Sequence, residues 1–193
     1  GALLSCSDGY TDKKPIVFYG SSITQGGCAS RPGNSYQALI SRRFNIDYFN
    51  FGFSGNALGE KTMADYIAAL PMSLFFLDFD HNSPNAEHLK AHHESFFLNI
   101  REKNPDLPVI MATKTDIPRS PAAEKSNAAH RAVVYETYEN AVKRGDRNVI
   151  FIDGATVFSK ALTLSAPADS CTVDGCHPND LGMVGMAAVI GRA

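Results

Sequence analysis

Three residues of the sequence have the types and the spacing of a nucleophile, a general base and a supporting acid. Ser22 follows an apolar run at residues 15–20 that ends in glycine, so a strand there would leave its hydroxyl at the open edge of a sheet. Asp174 and His177 lie three residues apart in a polar stretch near the other end of the chain. In a turn, this spacing lets the carboxylate hold one imidazole nitrogen while the other faces a cleft, as a general base requires. A plain turn serine and an Asx-type turn before a capped helix are the alternatives that these residues alone leave open.

Two further polar signals could stabilise negative charge on a reacting oxygen. Gly55 follows the second apolar run of the chain, and Asn82 follows the third. A glycine can present a bare backbone N–H and an asparagine its side-chain amide. Together with the N–H of Ser22 they would form a three-donor oxyanion hole. Taken singly, each of the two is more often a turn residue.

Apolar runs and amphipathic stretches alternate along the chain and must position these residues. The apolar runs are residues 15–20, 47–53, 74–79, 108–113 and 148–153, and the helical patterns cover residues 35–44, 60–70, 84–103, 121–144 and 180–190. Continuous apolar runs are typical of strands that are buried on both faces. The alternation predicts an α/β fold, a three-layer α/β/α sandwich around a mostly parallel, five-stranded sheet. Its site would lie beyond the carboxyl ends of the strands. Residues 165–178, the longest polar segment between elements, contain both Asp174 and His177.

The order of these signals resembles the sequence blocks of the SGNH (GDSL-like) hydrolase superfamily. Residues 20–24 resemble its GDSL block, and this resemblance assigns the nucleophile to Ser22. Ser54 and Gly55 resemble the second block, which makes Gly55 the oxyanion glycine. His81 and Asn82 resemble the third block, G-x-N-D, which makes Asn82 the oxyanion asparagine.

The last block of that superfamily, D-x-x-H, is matched by Asp174 and His177, and the following residue is Pro178. The resemblance extends from about residue 14 to residue 190. It implies a flavodoxin-like fold with strand order 2-1-3-4-5 and a Ser-His-Asp catalytic triad. Any one block is weak, but four in order at the ends of the expected strands are specific.

The departures from the family pattern are expected to alter the cleft. Ser21 stands where the GDSL block has Asp, and Asp80 and Ser83 stand where the third block has Gly and Asp. We expect Ser21, Asp80 and His81 to lie beside the substrate. Arg31, in the glycine-rich stretch after the nucleophile, could hold a hydroxyl-rich or anionic group, although a solvated surface arginine is the simpler interpretation.

The composition argues against several classes of partner. The chain has 18 Lys and Arg against 20 Asp and Glu, a formal net charge of −2, and no basic run. These values argue against nucleic acid and against a polybasic membrane patch, and no apolar run approaches the ~20 residues of a membrane span. We expect a small-molecule or carbohydrate ester as the partner, with no cofactor and no metal. His88 and His92 are four residues apart, but Leu89 occupies the position where a zinc-protease motif has Glu.

Two cysteines flank the predicted catalytic acid. Cys171 and Cys176 could form a disulfide that fixes the loop in an oxidising compartment, or both could be free thiols. The start of the chain, Leu3-Leu4-Ser5-Cys6, resembles the end of a bacterial lipoprotein signal and favours a periplasmic or secreted location. A vector remnant or a cut domain boundary explains it equally well. We expect residues 1–193 to form one domain, with residues 1–14 as an N-terminal extension or the remnant of a preceding segment.

A triad on this scaffold implies transfer of an acyl group to water, and three hypotheses follow. The first is a carbohydrate esterase that removes short acyl groups such as acetate, since Asp80 and His81 add polar groups beside the site. The second is a lipid-directed acylhydrolase, similar to a lysophospholipase or to platelet-activating-factor acetylhydrolase. The third is a non-catalytic binding module, and the filled catalytic positions argue against it. The sequence does not indicate an oligomeric state.

Overall fold

A five-stranded parallel sheet forms the centre of the chain. The computed structural model describes residues 9–161 and 168–193. The strands are β1 (Asp12–Gly20), β2 (Ile46–Gly52), β3 (Leu74–Asp78), β4 (Val109–Ala112) and β5 (Val149–Ile152). Their order in the sheet is β2-β1-β3-β4-β5 and all four pairings are parallel. The predicted fold class and strand order are therefore confirmed.

The helices cover both faces of this sheet. They are α1 (Ser22–Gln25), α2 (Tyr36–Phe44), α3 (Lys61–Ala68), α4 (Ala86–Lys103), α5 (Pro121–Lys143), α6 (Val157–Ala161) and α7 (Asp180–Ile190). The five helices expected from the sequence are present, and the two short ones, α1 and α6, were not expected. None of the helices in the described residues is long and apolar enough to cross a membrane.

The first strand begins earlier than predicted. Residues 12–14, which we assigned to an N-terminal extension, already belong to β1, and Asp12 pairs with Ile46 of β2. The register then shifts between Asp12 and Ile16. Pro15 lies in this irregularity, where its missing N–H costs no ladder bond. The predicted strand began at Pro15 because residues 12–14 are polar and exposed, and therefore do not extend the apolar run. The lipoprotein-like start at residues 3–6 lies outside the described residues.

The two faces of the sheet bury separate apolar cores. Val17 and Tyr19 point to one face, where they pack with residues of α3, α4 and α5. Ile16 and Phe18 point to the other face, towards α2, α6 and α7. The inner strands β1, β3 and β4 therefore bury successive residues on opposite sides, and this explains their continuous apolar runs.

The parallel arrangement brings three loops to one edge of the sheet. Gly20, the last residue of β1, lies in register between Gly52 of β2 and Asp78 of β3. The segments that follow these three residues contain Ser22, Gly55 and Asn82. The topology thus accounts for why residues so far apart in sequence share one edge.

Candidate active site

Ser22 is the first residue of α1, just beyond the carboxyl end of β1. The helix is capped by Ser21, whose hydroxyl accepts a hydrogen bond from the N–H of Ile23 at 3.2 Å. At the first position of a helix the backbone N–H has no intrahelical acceptor. The N–H of Ser22 is therefore free of the helix ladder and can serve as a donor to a ligand.

Two glycines let α1 lie directly on the ends of the strands. A Cβ at Gly20 would overlap the carbonyl of Asp78 and the side chain of Thr24, and a Cβ at Gly52 would overlap the backbone of Gln25. Any larger residue would push the helix away from the sheet. Gly20 and Gly52 thus fix the height of Ser22 above the edge of the sheet.

Buried polar side chains hold α1 from below. The hydroxyl of Thr24 is 3.1 Å from that of Tyr36 and donates to Oδ2 of Asp78 at 3.4 Å. The amide of Gln37 donates to the carbonyl of Thr24 at 2.6 Å. Burial raises the pKa of Asp78 well above the usual range of a carboxyl, and nearby His81 only partly offsets this. A neutral Asp78 suits its buried position, because it leaves no uncompensated charge beneath Ser22.

Hydrogen bonds connect Ser22, His177 and Asp174 in series. Oγ of Ser22 is 3.0 Å from Nε2 of His177. Nδ1 of the same ring is 2.7 Å from Oδ2 of Asp174. The side chains of His177 and Asp174 are 32% and 49% exposed, so a substrate in solvent can reach them. The structure thus brings together the three residues predicted from the sequence, in the geometry of a nucleophile, a base and its orienting acid.

The loop before α7 holds Asp174 through its own backbone. Oδ1 of Asp174 accepts hydrogen bonds from the N–H groups of His177 at 2.7 Å and Cys176 at 2.8 Å. The backbone and side-chain contacts with His177, together with the Cys176 N–H, hold the pKa of Asp174 well below its usual range. The side chain of Asn179 caps α7. The Asx-type turn and the carboxylate–imidazole pair, which the sequence left as alternatives, are therefore present at once. Residues 165–167 of the predicted polar loop lie outside the described residues.

Gly55 and Asn82 lie in neighbouring loops that are tied to each other. The amide nitrogen of Asn82 donates to the carbonyl of Phe53 at 2.8 Å. Gly55, two residues further on, has φ +68°, a left-handed conformation that favours glycine. The same loop accepts support from α1, since the N–H of Ser54 donates to Oε1 of Gln25 at 3.2 Å. The second and third predicted blocks are thus joined at the edge where Ser22 lies.

Three residues expected beside the substrate instead face the protein. Ser21 is fully buried under its capping bond. Asp80 is 1% exposed, and its Oδ2 accepts from the N–H of Lys114 at 2.9 Å. The His81 side chain is 6% exposed and turns towards Asp116. The expectation that these three line the pocket was wrong, because short polar side chains after a strand satisfy neighbouring loops first. Arg31 is exposed in the stretch after the nucleophile, as a solvated surface residue would be.

A polar cluster beside the site includes Asp116, which the sequence analysis missed. Nδ1 of His81 is 3.0 Å from Oδ1 of Asp116 and 3.8 Å from Sγ of Cys176. Burial lowers the pKa of His81. The contacts with Asp116, and then with Cys176 and Asp80, raise it by more than burial lowers it, so the net pKa lies well above its usual value. The position of Asp116 in the sequence could have indicated it, because Asp116 comes four residues after β4, at the same edge of the sheet as Ser22.

The cysteines near the site are reduced, and hydrogen bonds connect the rim of the site to α7. Cys28, Cys171 and Cys176 are free thiols, so the structure contains no disulfide between the two cysteines that flank Asp174. In the stretch after the nucleophile, Ser30 donates to the carboxylate of Asp180 from its N–H at 2.8 Å and its hydroxyl at 2.6 Å. This bond ties the rim of the site to the start of α7.

The chain resembles proteins of known family and structure. A model of the GDSL-like Lipase/Acylhydrolase family matches residues 13–193. No curated protein sequence matches the chain. A solved structure described as a GDSL-like lipase, from Bacteroides ovatus, is 32% identical with a TM-score of 0.81; the match covers 92% of this chain and 51% of that one.

Two other solved structures are similar. A salicylyl-acyltransferase from a tetracycline biosynthetic pathway is 25% identical with a TM-score of 0.78, over 94% of this chain and 54% of that one. An acetylxylan esterase from Geobacillus stearothermophilus is 20% identical with a TM-score of 0.69, and the match covers 95% of this chain and 94% of that one. At this identity the likeness shows the fold alone. The chain spans about half the length of the first two relatives. Because the family model matches nearly the whole chain, the chain belongs to the GDSL-like lipase/acylhydrolase family.

Proposed function

We propose that this chain is a serine ester hydrolase that removes short acyl groups, with O-acetyl esters of a carbohydrate as its substrates. The observation that carries the proposal is the series of contacts from Ser22 Oγ to His177 Nε2 at 3.0 Å and from His177 Nδ1 to Asp174 Oδ2 at 2.7 Å. A serine that is hydrogen-bonded to an imidazole, which is itself held by a carboxylate, is the arrangement of an activated nucleophile.

The reaction follows from this arrangement. His177 Nε2 takes the proton of Ser22 as Oγ attacks the ester carbonyl, and Asp174 stabilises the imidazolium that forms. The N–H groups of Ser22 and Gly55 and the amide of Asn82 donate to the oxyanion. His177 then protonates the leaving alcohol, the carbonyl re-forms, and an acyl-serine remains. Water attacks this ester by the same route, releasing the acid and restoring the Ser22 hydroxyl.

The distribution of apolar surface supports a short acyl group. An apolar groove of about 160 Å³ is formed by Ile16, Leu74, Ile190 and their neighbours. Leu74 is the first residue of β3 and Ile16 pairs with it, whereas Ser22 is beyond the carboxyl end of β1. This groove therefore lies away from Ser22 and lends no support to the lipid-directed alternative.

Acyl transfer to an alcohol is the second candidate function. It is favoured by the similarity to the salicylyl-acyltransferase, which is 25% identical over 94% of this chain. The same acyl-serine would then react with a bound hydroxyl in place of water. Product analysis with an added alcohol distinguishes the two, because transfer yields a new ester and hydrolysis yields only the free acid.

A series of nitrophenyl esters tests the proposed function. We expect kcat/KM to fall steeply beyond butyrate, and acetate to be released from acetylated xylo-oligosaccharides. Ser22→Ala should lower kcat by about 10⁴-fold or more on every ester while the fold is retained. A preference for octanoate over acetate would favour the lipid-directed alternative. Near wild-type activity in Ser22→Ala would contradict the nucleophile, and a wild type inactive on all esters would favour a binding module.

A further inference from the structure

Three side chains with metal-binding atoms converge beside the active site. They are His81 after β3, Asp116 after β4, and Cys176 in the loop before α7. Their ligand atoms all lie within 4.8 Å of one another. Imidazole, carboxylate and thiolate are the three side-chain ligands that zinc takes in proteins.

The separations suit a tetrahedral ion. Zinc bonds of about 2.0 Å to nitrogen and oxygen and 2.3 Å to sulfur place neighbouring ligands about 3.3–3.5 Å apart. Here Nδ1 of His81 is 3.0 Å from Oδ1 of Asp116 and 3.8 Å from Sγ of Cys176. Shifts of a few tenths of an ångström would bring these two separations to the required values, and the ligand atoms of Asp116 and Cys176 lie within 4.8 Å of each other. The fourth position would be open to water.

The surroundings of the cluster favour a cation. Oδ1 of Asp80 has no hydrogen-bond donor among the described residues. Asp80 is 1% exposed, and its carboxyl group, that of Asp78 and His81 form a second group within 4.8 Å. A buried oxygen without a donor is costly in an apolar interior. A divalent ion bound to His81 would lie close enough to stabilise this oxygen.

An ion can reach the cluster from solvent. Asp116 lines a cavity of about 350 Å³ together with Lys114, Ile117 and Arg131. The Asp116 side chain is 22% exposed at the wall of this cavity. Binding therefore needs no opening of the core.

We propose that His81, Asp116 and Cys176 form a zinc site whose occupation inhibits the esterase. The ion binds Cys176 as a thiolate and Nδ1 of His81 as a neutral imidazole nitrogen, and the protons it displaces from these two groups pass to solvent. Because zinc competes with protons for these ligands, it binds more tightly as the pH rises.

The site is coupled to catalysis through two chain neighbours. Cys176 precedes His177, and its N–H donates to Asp174 at 2.8 Å. His81 precedes Asn82. A zinc ion that draws the two ligands together would shift the base and an oxyanion donor from their working positions. This inhibition rests on the proposed function, whereas the binding of zinc does not.

Metal binding tests the site directly. Chelator-treated protein is titrated with ZnCl₂ by calorimetry and with CoCl₂ by absorption. We expect one ion per chain, proton release, and a thiolate-to-cobalt charge-transfer band. Cys176→Ser should weaken zinc binding at least tenfold and abolish the band, and Asp116→Asn should also weaken binding. Cys28→Ser, which removes an exposed thiol elsewhere, is the matched control and should bind as wild type does.

The ester assay tests inhibition separately. Chelator-treated wild type should be fully active, and stoichiometric zinc should lower kcat at least tenfold, reversibly on chelation. The zinc concentration that halves the rate of Cys176→Ser, measured against that variant's own zinc-free rate, should be at least tenfold higher than for wild type. Equal zinc binding by wild type and Cys176→Ser, or a cobalt complex without the charge-transfer band, would overturn the site. Binding without inhibition would overturn the regulatory role, and loss of esterase activity in metal-free protein would count against the proposed function instead.

Discussion

The carboxylate of Asp174 uses its two oxygens for different partners. Oδ1 accepts two backbone N–H groups of its own loop, and Oδ2 faces Nδ1 of His177 at 2.7 Å. The first set fixes the carboxylate, so that the second can select the tautomer in which Nε2 is free to accept the proton of Ser22. Because these contacts hold the pKa of Asp174 well below its usual range, the carboxylate stays ionised at neutral and mildly acidic pH.

Replacing one oxygen of Asp174 tests this role. In Asp174→Asn the amide can keep the backbone bonds but presents an N–H to Nδ1, which favours the tautomer with the proton on Nε2. We expect kcat to fall by about 10⁴-fold with little loss of stability. Asp169→Asn, an exposed acid in the same loop, is the control. A kcat within tenfold of wild type for Asp174→Asn would show that the carboxylate does not orient the base.

The amide of Asn82 is expected to act only after attack. Its Nδ2 already donates to Phe53, which holds the side chain in place, and its second hydrogen remains for an oxyanion. Asn82→Ala should lower kcat by about 10²–10³-fold with little change in KM, measured on one short-chain ester. Asn99→Ala, on the remote side of α4, is the control. An increase in KM with kcat preserved would mean that Asn82 only binds substrate.

Close approach between elements fixes the position of Ser22, the proposed nucleophile. The helix α1 has only four residues, so it is held by its contacts rather than by its own ladder. Gly52 provides the space, since a Cβ there would overlap the backbone of Gln25. Thr24, Tyr36 and Asp78 supply the polar contacts from beneath. The position of Ser22 is therefore a property of three elements packed together.

A methyl group at Gly52 should displace α1. Gly52→Ala overpacks against backbone, and we expect it to cost about 1–3 kcal/mol of unfolding free energy. For a chain of this size that is a fall in Tm of about 2–4 °C per kcal/mol, together with at least a tenfold loss of kcat. Gly33→Ala, whose Cβ would be 3.5 Å from the side chain of Arg42, is the control. Unchanged kcat and Tm in Gly52→Ala would contradict the packing argument.

The strands, the long helices and the predicted triad could be read from the sequence because their signals are local. Five continuous apolar runs indicated the strands, and the spacing of Asp174 and His177 indicated a pair within one loop. The short helices α1 and α6, with four and five residues, show no helical period. The orientations of Ser21, Asp80 and His81 could not be predicted, because they depend on contacts between distant parts of the chain. Asp116, for example, is 35 positions from His81, and no sequence signal links the two residues.

At the scale of the whole molecule, buried ionisable groups link stability to pH. His93 is buried in the core, with Nδ1 2.9 Å from the hydroxyl of Thr137, and burial lowers its pKa to about 3. The unfolded chain binds a proton at this residue near pH 6.5, whereas the folded chain does not. The folded state is therefore favoured above that pH, and it loses stability as the pH falls from about 6.5 towards 3. Asp78 and His81, whose pKa values are raised, act in the opposite direction.

A comparison with a variant isolates the contribution of His93. His93→Gln cannot take up the proton in either state, so the difference in unfolding free energy between wild type and variant should shrink by about 2 kcal/mol from pH 7 to pH 5. Denaturant unfolding at pH 5, 6 and 7 measures it. His92→Gln, on the same helix with a half-buried ring, is the control. A difference that stays constant over this range would mean that His93 is already charged in the folded protein.

Covalent labelling tests the central claim, that Ser22 is a nucleophile activated by His177 and Asp174, most directly. An alkyl fluorophosphonate transfers its phosphonyl group to an activated serine hydroxyl with loss of fluoride, and mass spectrometry locates the added mass. The account predicts one phosphonyl group per chain on the peptide that contains Ser22, strongly slowed labelling in Asp174→Asn, and none in Ser22→Ala. Labelling of a different residue, or equal labelling of wild type and Ser22→Ala, would contradict it.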